Sequence, residues 1–433
     1  MYNLDILIKA GFGHLQGEIL NTAKYGIWAH YHADTQRFRG SPFCFWEVME
    51  GEPATGAVLE ILSNRPGAGQ VLCRSWTTTH EQSPYINRNY CHWLATAFLS
   101  RQIERLHTVG EELFFREVAA TNATNGTYCH RHYQTPNTVQ TIALATKYCY
   151  KFFKSSLTER LYWDQWYLLY NIDKENECDI GRYKKIPLPK YEFWADPHII
   201  ERNGKYYIFF EKYIKSVRKG HLEVLQIDRQ GNISAPATVL RKNYHLSYPL
   251  LVEYRDNLYM IPETKENSTV EIYRCKEFPH KWEFTMNLMN NVKAVDTTPL
   301  FHNDKWWLFT VMVDTIGTRC RENLYIFYAD DLLTHEWQPH PMNPVKTDTR
   351  SARPAGRFFR KNNKLYRPSQ DCSKRYGFGI HFNEIVRLSE TEFEERVTWS
   401  ILPNWEKGVV GVHSFAQEGD LTVVDAIKRR SNF

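Results

Sequence analysis

WADPHIIERNGKYYIFFE (194–211) and SYPLLVEYRDNLYMIPE (247–263) are two copies of one pattern. In each, a short apolar run follows an X-Pro pair, a polar turn breaks it, and a second run rich in aromatic and aliphatic residues ends on a glutamate. That is strand, turn, strand. Asp196 to Glu211 and Tyr248 to Glu263 span the same 15 residues. Fainter copies are DTTPLFHNDKWWLFT (296–310), ARPAGRFFRKNNKLYRPSQD (352–371) and VHSFAQEGDLTVVD (412–425). Their markers, Pro197, Pro249, Pro299, Pro354 and His413, are 52, 50, 55 and 59 residues apart. A period near 50 built on hairpins is the pattern of a β-propeller, in which each four-stranded blade needs neighbours to cover both its faces. Five copies predict five blades.

Working outward, residues 186–433 form this all-β domain. Residues 111–185 read as a partly helical connector, with an aromatic helix expected around Thr158 to Tyr170. Residues 1–110 read α/β, with LDILIKAGFG and GIWAHYH as strands, GEILNTAK as a short helix and Tyr90 to His107 as an amphipathic helix. The Trp306-Trp307 pair and Tyr248 are expected in packing between blades.

The 433 residues are 42% hydrophobic, 24% charged and 15% aromatic, which excludes a disordered or fibrous chain. A net charge of +5 is too small for this length to imply nucleic acid. Nine cysteines, scattered singly, form no disulfide framework. Cys129, His130 and His132 lack the second ligand pair a zinc site needs, so no metal is expected. The N-terminus has no basic leader and no apolar run spans a bilayer, so a cytoplasmic place is expected, compatible with peripheral association at a membrane face.

The stretch from Asp5 to His107, above all GIWAHYHAD and RFRGSPFCFWEVMEGEPATGAVL, resembles the formyltransferase family. The resemblance implies a formyltransferase-like α/β fragment, truncated because the family's folate-binding half would precede it. Of the family's working residues, Ala29 stands at the Asn position, Tyr31 at the His position and Gly67 at the Asp position. His30, His32 and Arg39 are what remains of that site. The domain is therefore expected to be catalytically silent, and formyl-folate would be a cofactor only if it formylated an amino sugar.

From Phe193 to Arg430, WADPHII, LSYPLLVE, VDTTPLF, RPAGRFF, LYRPSQDCSKRYG and GVHSFAQEGDLTVVDAIKRR resemble the N-terminal domain of glucosamine inositolphosphorylceramide transferase and, more distantly, five-bladed glycoside hydrolases with three carboxylates in a central funnel. Inner strands of a propeller start near its axis, so polar groups at those starts converge. That selects Asp196, Glu263 and Asp296 as catalytic candidates. Glu211, Tyr248, Arg353, Arg367, Gln370, Asp371 and His413 are selected for substrate binding. Each also has a plain structural role open to it, such as a turn-capping Asp or an Arg paired within a blade. The two resemblances imply a carbohydrate-active protein of glycan or surface-polysaccharide assembly, a transferase acting on an amino sugar or sugar nucleotide through the propeller pocket. The alternatives are a non-catalytic glycan-binding module and an amino-sugar formyltransferase. The expected partner is a sugar nucleotide or glycan, without a further cofactor.

Overall fold

The structure is a computed structural model and describes residues 3–11, 13, 15–34, 37–64, 69–123, 132–172, 179–313, 317 and 319–432. The chain divides into two compact units: Met1–Leu157 with Thr315–Thr318, and Thr158–Asp314 with Arg319–Phe433.

In the first unit, strands Leu7–Lys9, Ile27–Tyr31, Ala54–Ile61 and Gln70–Thr78 form one sheet in that order. The first pair is parallel and the other two antiparallel. Trp28, Ala57, Leu59 and Leu72 on this sheet pack with Cys91, Leu94, Phe98, Phe114 and Val118 of the helices that follow. The single helix expected from Tyr90 to His107 is two, Pro84–Ala95 and Phe98–Val109. The break falls at Thr96, whose hydroxyl donates back to the Trp93 carbonyl at 2.7 Å and competes with helix propagation.

The second unit is five antiparallel sheets in chain order. Blade 1 is Glu192–Arg202, Lys205–Ile214, Lys219–Ile227 and Ala237–Leu240; blade 2 is Ser247–Tyr254, Asn257–Glu263, Thr269–Glu277 and Lys281–Asn290. Blade 3 starts with Ala294–His302, Lys305–Met312 and Asn323–Ala329, and two short strands share its outer edge. Blade 4 is Phe359–Lys361, Lys364–Asp371, Gly379–Leu388 and Phe393–Ile401. The inner hairpins are the repeated segments of the sequence. Apolar layers lie between consecutive blades: Phe209 meets Met260 between 1 and 2, Ile261 meets Leu308 between 2 and 3, and Phe309 meets Phe393 between 3 and 4. Trp306 and Trp307 point to opposite faces of their strand, one into the layer with blade 2 and the other into the layer with blade 4.

Blade 5 departs from the expected domain boundaries. Its C-terminal strands Val409–Gly411, Phe415–Glu418 and Leu421–Ser431 are completed by Tyr162–Asn171 and Lys184–Lys185, which precede blade 1 in the chain. The register runs without a break from Thr422↔Asn171 to Ser431↔Tyr162. The expected 111–185 connector is therefore split: Glu111–Ala123 and Thr138–Leu161 are helices, and the segment read as an aromatic helix is helical only from Thr158 to Leu161, the rest being the propeller strand Tyr162–Asn171. Leu168 and Tyr170 on one face pack with Ile199 and Tyr206 of blade 1, while Tyr167 and Leu169 on the other pack with Phe382 of blade 4. Those two layers close the ring.

Candidate functional site in the propeller axis

Asp196, Tyr248 and Asp296 occupy the same place in blades 1, 2 and 3, and each has a left-handed backbone, with φ of 52°, 48° and 49°. This conformation is unfavourable for a residue with a Cβ. The ladders of blades 1, 2 and 3 shift register around it, between Phe209 and Glu211, Ser247 and Leu250, and Val295 and Thr298. Each bulge turns a polar side chain toward the axis.

The axial cavity has a volume of about 510 Å³. Asp196, Glu211 and Glu263 line it together with His413, Arg353 and the rings of Trp166, Phe193 and Tyr376. All three carboxylates are buried. Asp196 accepts from the Ser414 hydroxyl at 2.8 Å and from the Tyr248 amide at 3.3 Å, and His413 Nε2 lies 3.5 Å away. Burial pushes its pKa up to about 6 although His413 pulls the other way.

Glu211 is shifted further. Burial, followed by the charges of Asp196 and Glu263, puts its pKa well above the ordinary carboxylate value. Its Oε1 has no hydrogen bond among the described residues. His245 is nearest, with Nε2 at 3.3 Å but out of line for a full bond. The Gly220 amide donates to His245 Nδ1 at 3.0 Å, so a neutral His245 carries its proton on Nε2, facing Glu211. Gly220 is required here: a Cβ on it would lie 2.5 Å from Glu211 Oε1 and 2.7 Å from the Leu246 carbonyl. Gly220→Ala is expected to displace Glu211 and to cost about 1–3 kcal/mol, measured as a lower urea midpoint. A midpoint equal to that of the parent would show that the carboxyl has room to move.

Arg353 organises the opposite wall. Its Nε donates to Asp296 Oδ2 at 2.6 Å, its Nη2 to Asp296 Oδ1 at 3.1 Å and to Glu263 Oε2 at 3.4 Å, and its Nη1 to the Cys320 carbonyl at 3.0 Å. Burial raises Asp296 to about 6 against the pull of Arg353. Gln370 donates to Asp296 at 2.9 Å from behind. Asp296 and Gln370 are thus props for Arg353 and do not line the cavity.

The other expected residues have structural placements. Tyr248 is buried, its hydroxyl 2.8 Å from that of Thr298 and accepting from the Gly356 amide at 2.9 Å. Arg367 is buried in a two-pronged pair with Glu395, at 2.8 and 2.7 Å. Asp371 caps the turn at the Ser373 amide, at 2.9 Å. In the first unit, His30, His32 and His92 form a row, with ring centres 6.2 Å apart for His30 and His32 and 3.9 Å apart for His32 and His92. Burial, then its neighbouring imidazoles, lowers His32 to about 4. The Arg39 side chain, Gly67 and the Cys129–His130 run lie outside the described residues.

Several cavity residues lie outside the repeated hairpins. Trp166 stacks on His413 with ring centres 3.8 Å apart, His245 and Lys265 flank blade 2, and Arg319 and Arg321 precede the third strand of blade 3. Asp425 completes the axis from beneath: Oδ2 accepts from the Asp196 amide at 3.0 Å and Oδ1 from the His413 and Ser414 amides at 2.9 Å. Ligand atoms of Asp196, His413 and Asp425 lie within 4.8 Å of one another, close enough for a cation. Both Asp425 oxygens are already engaged by backbone amides and its Oδ2 lies 2.6 Å from His413 Nδ1, so these groups join blade 5 to blade 1.

The family model described as glucosamine inositolphosphorylceramide transferase 1, N-terminal, matches residues 184–414. The glucosamine inositolphosphorylceramide transferase 1 of Oryza sativa subsp. japonica is 30% identical over 206 residues, which is 47% of this chain and 27% of the relative. The Arabidopsis thaliana protein of the same name is 31% identical with the same coverage. The match therefore spans only about a quarter of the length of these relatives. Among solved structures, a family 117 glycoside hydrolase of Zobellia galactanivorans aligns at 10% identity with a TM-score of 0.40, covering 62% of this chain and 91% of that one. A β-xylosidase/α-arabinofuranosidase from a compost metagenome aligns at 13% identity with a TM-score of 0.41, covering 57% and 93%. With more than half of its residues matched by one family model, the chain belongs to the family of glucosamine inositolphosphorylceramide transferase 1 N-terminal domains.

Proposed function

We propose that the axial cavity is the working site of a carbohydrate transferase in glycan assembly, acting on an amino sugar or a sugar nucleotide. One observation carries this reading: three buried carboxylates line a single cavity together with aromatic rings, and the pKa of one of them lies far above that of an ordinary carboxylate. The similarity to glucosamine inositolphosphorylceramide transferases supports the sugar class.

Aromatic walls offer faces for sugar C–H groups, and carboxylates accept from sugar hydroxyls. In the reaction, an acceptor hydroxyl attacks the anomeric carbon and the bond to the leaving oxygen breaks. Asp196 takes the proton of the attacking hydroxyl. Glu211, whose carboxyl burial and the neighbouring carboxylates hold well above the ordinary range, donates its proton to a glycosidic leaving oxygen. For a phosphate leaving group, Lys265 and Arg321 border the cavity and offset the charge.

The test is incubation of the full chain with nucleotide-linked amino sugars and oligosaccharide acceptors, read by mass spectrometry and by calorimetric binding. Turnover is expected, reduced at least about 100-fold in Asp196→Asn with little change in melting temperature. Binding without turnover would make the cavity a glycan-holding module instead. Formamide appearing with formyl-folate would place the chemistry at His30 and His32 of the first unit, which this reading treats as a silent formyltransferase remnant.

A further inference from the structure

The 24-residue helix Thr138–Leu161 buries none of its residues. Its most exposed apolar side chains are Val139 at 77%, Ile142 at 64%, Tyr150 at 68%, Phe153 at 72% and Leu157 at 58%. Steps of three, four, seven or eight residues separate them, so they form one stripe along one face, about 27 Å long. Lys154 lies at a helical position along one border of the stripe, and Arg160 lies at its C-terminal end. The helix holds a single acid, Glu159, whose helical position is on the far side. Lys147 donates to the Met49 carbonyl at 3.0 Å, which ties this helix to the short helix Trp46–Glu50 of the first unit.

A folded domain rarely leaves such a stripe in water. No helix of the described chain is long and apolar enough to cross a membrane, which leaves the geometry of a helix lying flat at an interface. We propose that this helix docks the first unit on an anionic membrane surface. Ile142, Phe153 and Leu157 enter the boundary between head groups and acyl chains. Tyr150 sits at head-group depth, where aromatic rings are favoured. Lys154 and Arg160 meet the lipid phosphates and carboxylates, a charge match that a neutral apolar partner would not supply. Nothing in this inference depends on the chemistry of the propeller cavity.

The test is co-sedimentation of the full chain with phosphatidylcholine vesicles, with and without roughly one-third phosphatidylserine. The protein is expected to pellet with the anionic vesicles and to stay in solution with the neutral ones. Ile142→Ser combined with Phe153→Ser should reduce partitioning at least about tenfold. Lys154→Gln combined with Arg160→Gln should weaken it several-fold and flatten its dependence on salt. All four positions avoid the buried core, so unchanged circular-dichroism melts confirm that the variants are folded. Equal partitioning of the serine pair, or none by the parent, would overturn the proposal. So would a concentration-dependent dimer that the serine pair dissociates, which would assign the stripe to a second copy of the chain.

Discussion

Asp425→Ala is expected to destabilise the propeller by about 3–5 kcal/mol, a large part of the stability of an ordinary domain. The substitution strands three buried amides, those of Asp196, His413 and Ser414, at the seam where blade 5 meets blade 1. Each unsatisfied buried amide costs about 1–3 kcal/mol. His413 loses its ion pair as well, and its ring is held above its ordinary pKa against burial by Asp425 and Asp196. Urea unfolding should show the lower midpoint, and hydrogen exchange should show the strand Leu421–Ser431 opening first. An unchanged midpoint would mean that the long pairing with Tyr162–Asn171 closes the ring without the axial carboxylate.

The same seam marks where reading the sequence fell short. The inner hairpins were legible because four of the five repeat the X-Pro start, and all repeat the polar turn at a steady interval. Tyr162–Asn171 carries no such pattern. Its central residues are buried in an unbroken run because both faces are covered, and a continuous apolar run has no period to separate strand from helix. Its partner strand lies at the other end of the chain. Within the site, Asp196, Glu211, Glu263, Arg353 and His413 could be picked out because the repeat aligns them. Arg367, Gln370 and Asp371 share the same second strand yet stay out of the cavity lining, since alternation along a strand does not tell which face looks into the cavity. Trp166, His245, Lys265, Arg321 and Tyr376 come from outside the aligned hairpins, and only the ring brings them in.

Stability should also fall as the pH rises from mildly acidic to mildly alkaline. Asp196 and Asp296 titrate near 6 in the fold against an ordinary 3.8, and Glu211 is raised well above its 4.5. Groups raised in the folded state bind protons more tightly there than in the unfolded chain. Their stabilising contribution is complete below the ordinary values and is lost as pH rises through the folded ones. Glu395 acts in the opposite sense: burial disfavours its charge, but Arg367 and Lys346 hold it at about 2, so its contribution is lost as pH falls from 4.5 toward 2. The optimum is therefore expected between about pH 4 and 6, with a few kcal/mol lost by about pH 8. Glu211→Gln, which cannot ionise, should flatten the alkaline side of this profile while abolishing turnover. The most direct measurement is a carboxyl titration by NMR on protein carrying carbon-13-labelled glutamate. One resonance should titrate well above the ordinary glutamate range and be missing from the Glu211→Gln spectrum. If no glutamate carboxyl titrated above the ordinary range, the axial cavity would hold no raised carboxyl to act as proton donor and the account of its chemistry would fail.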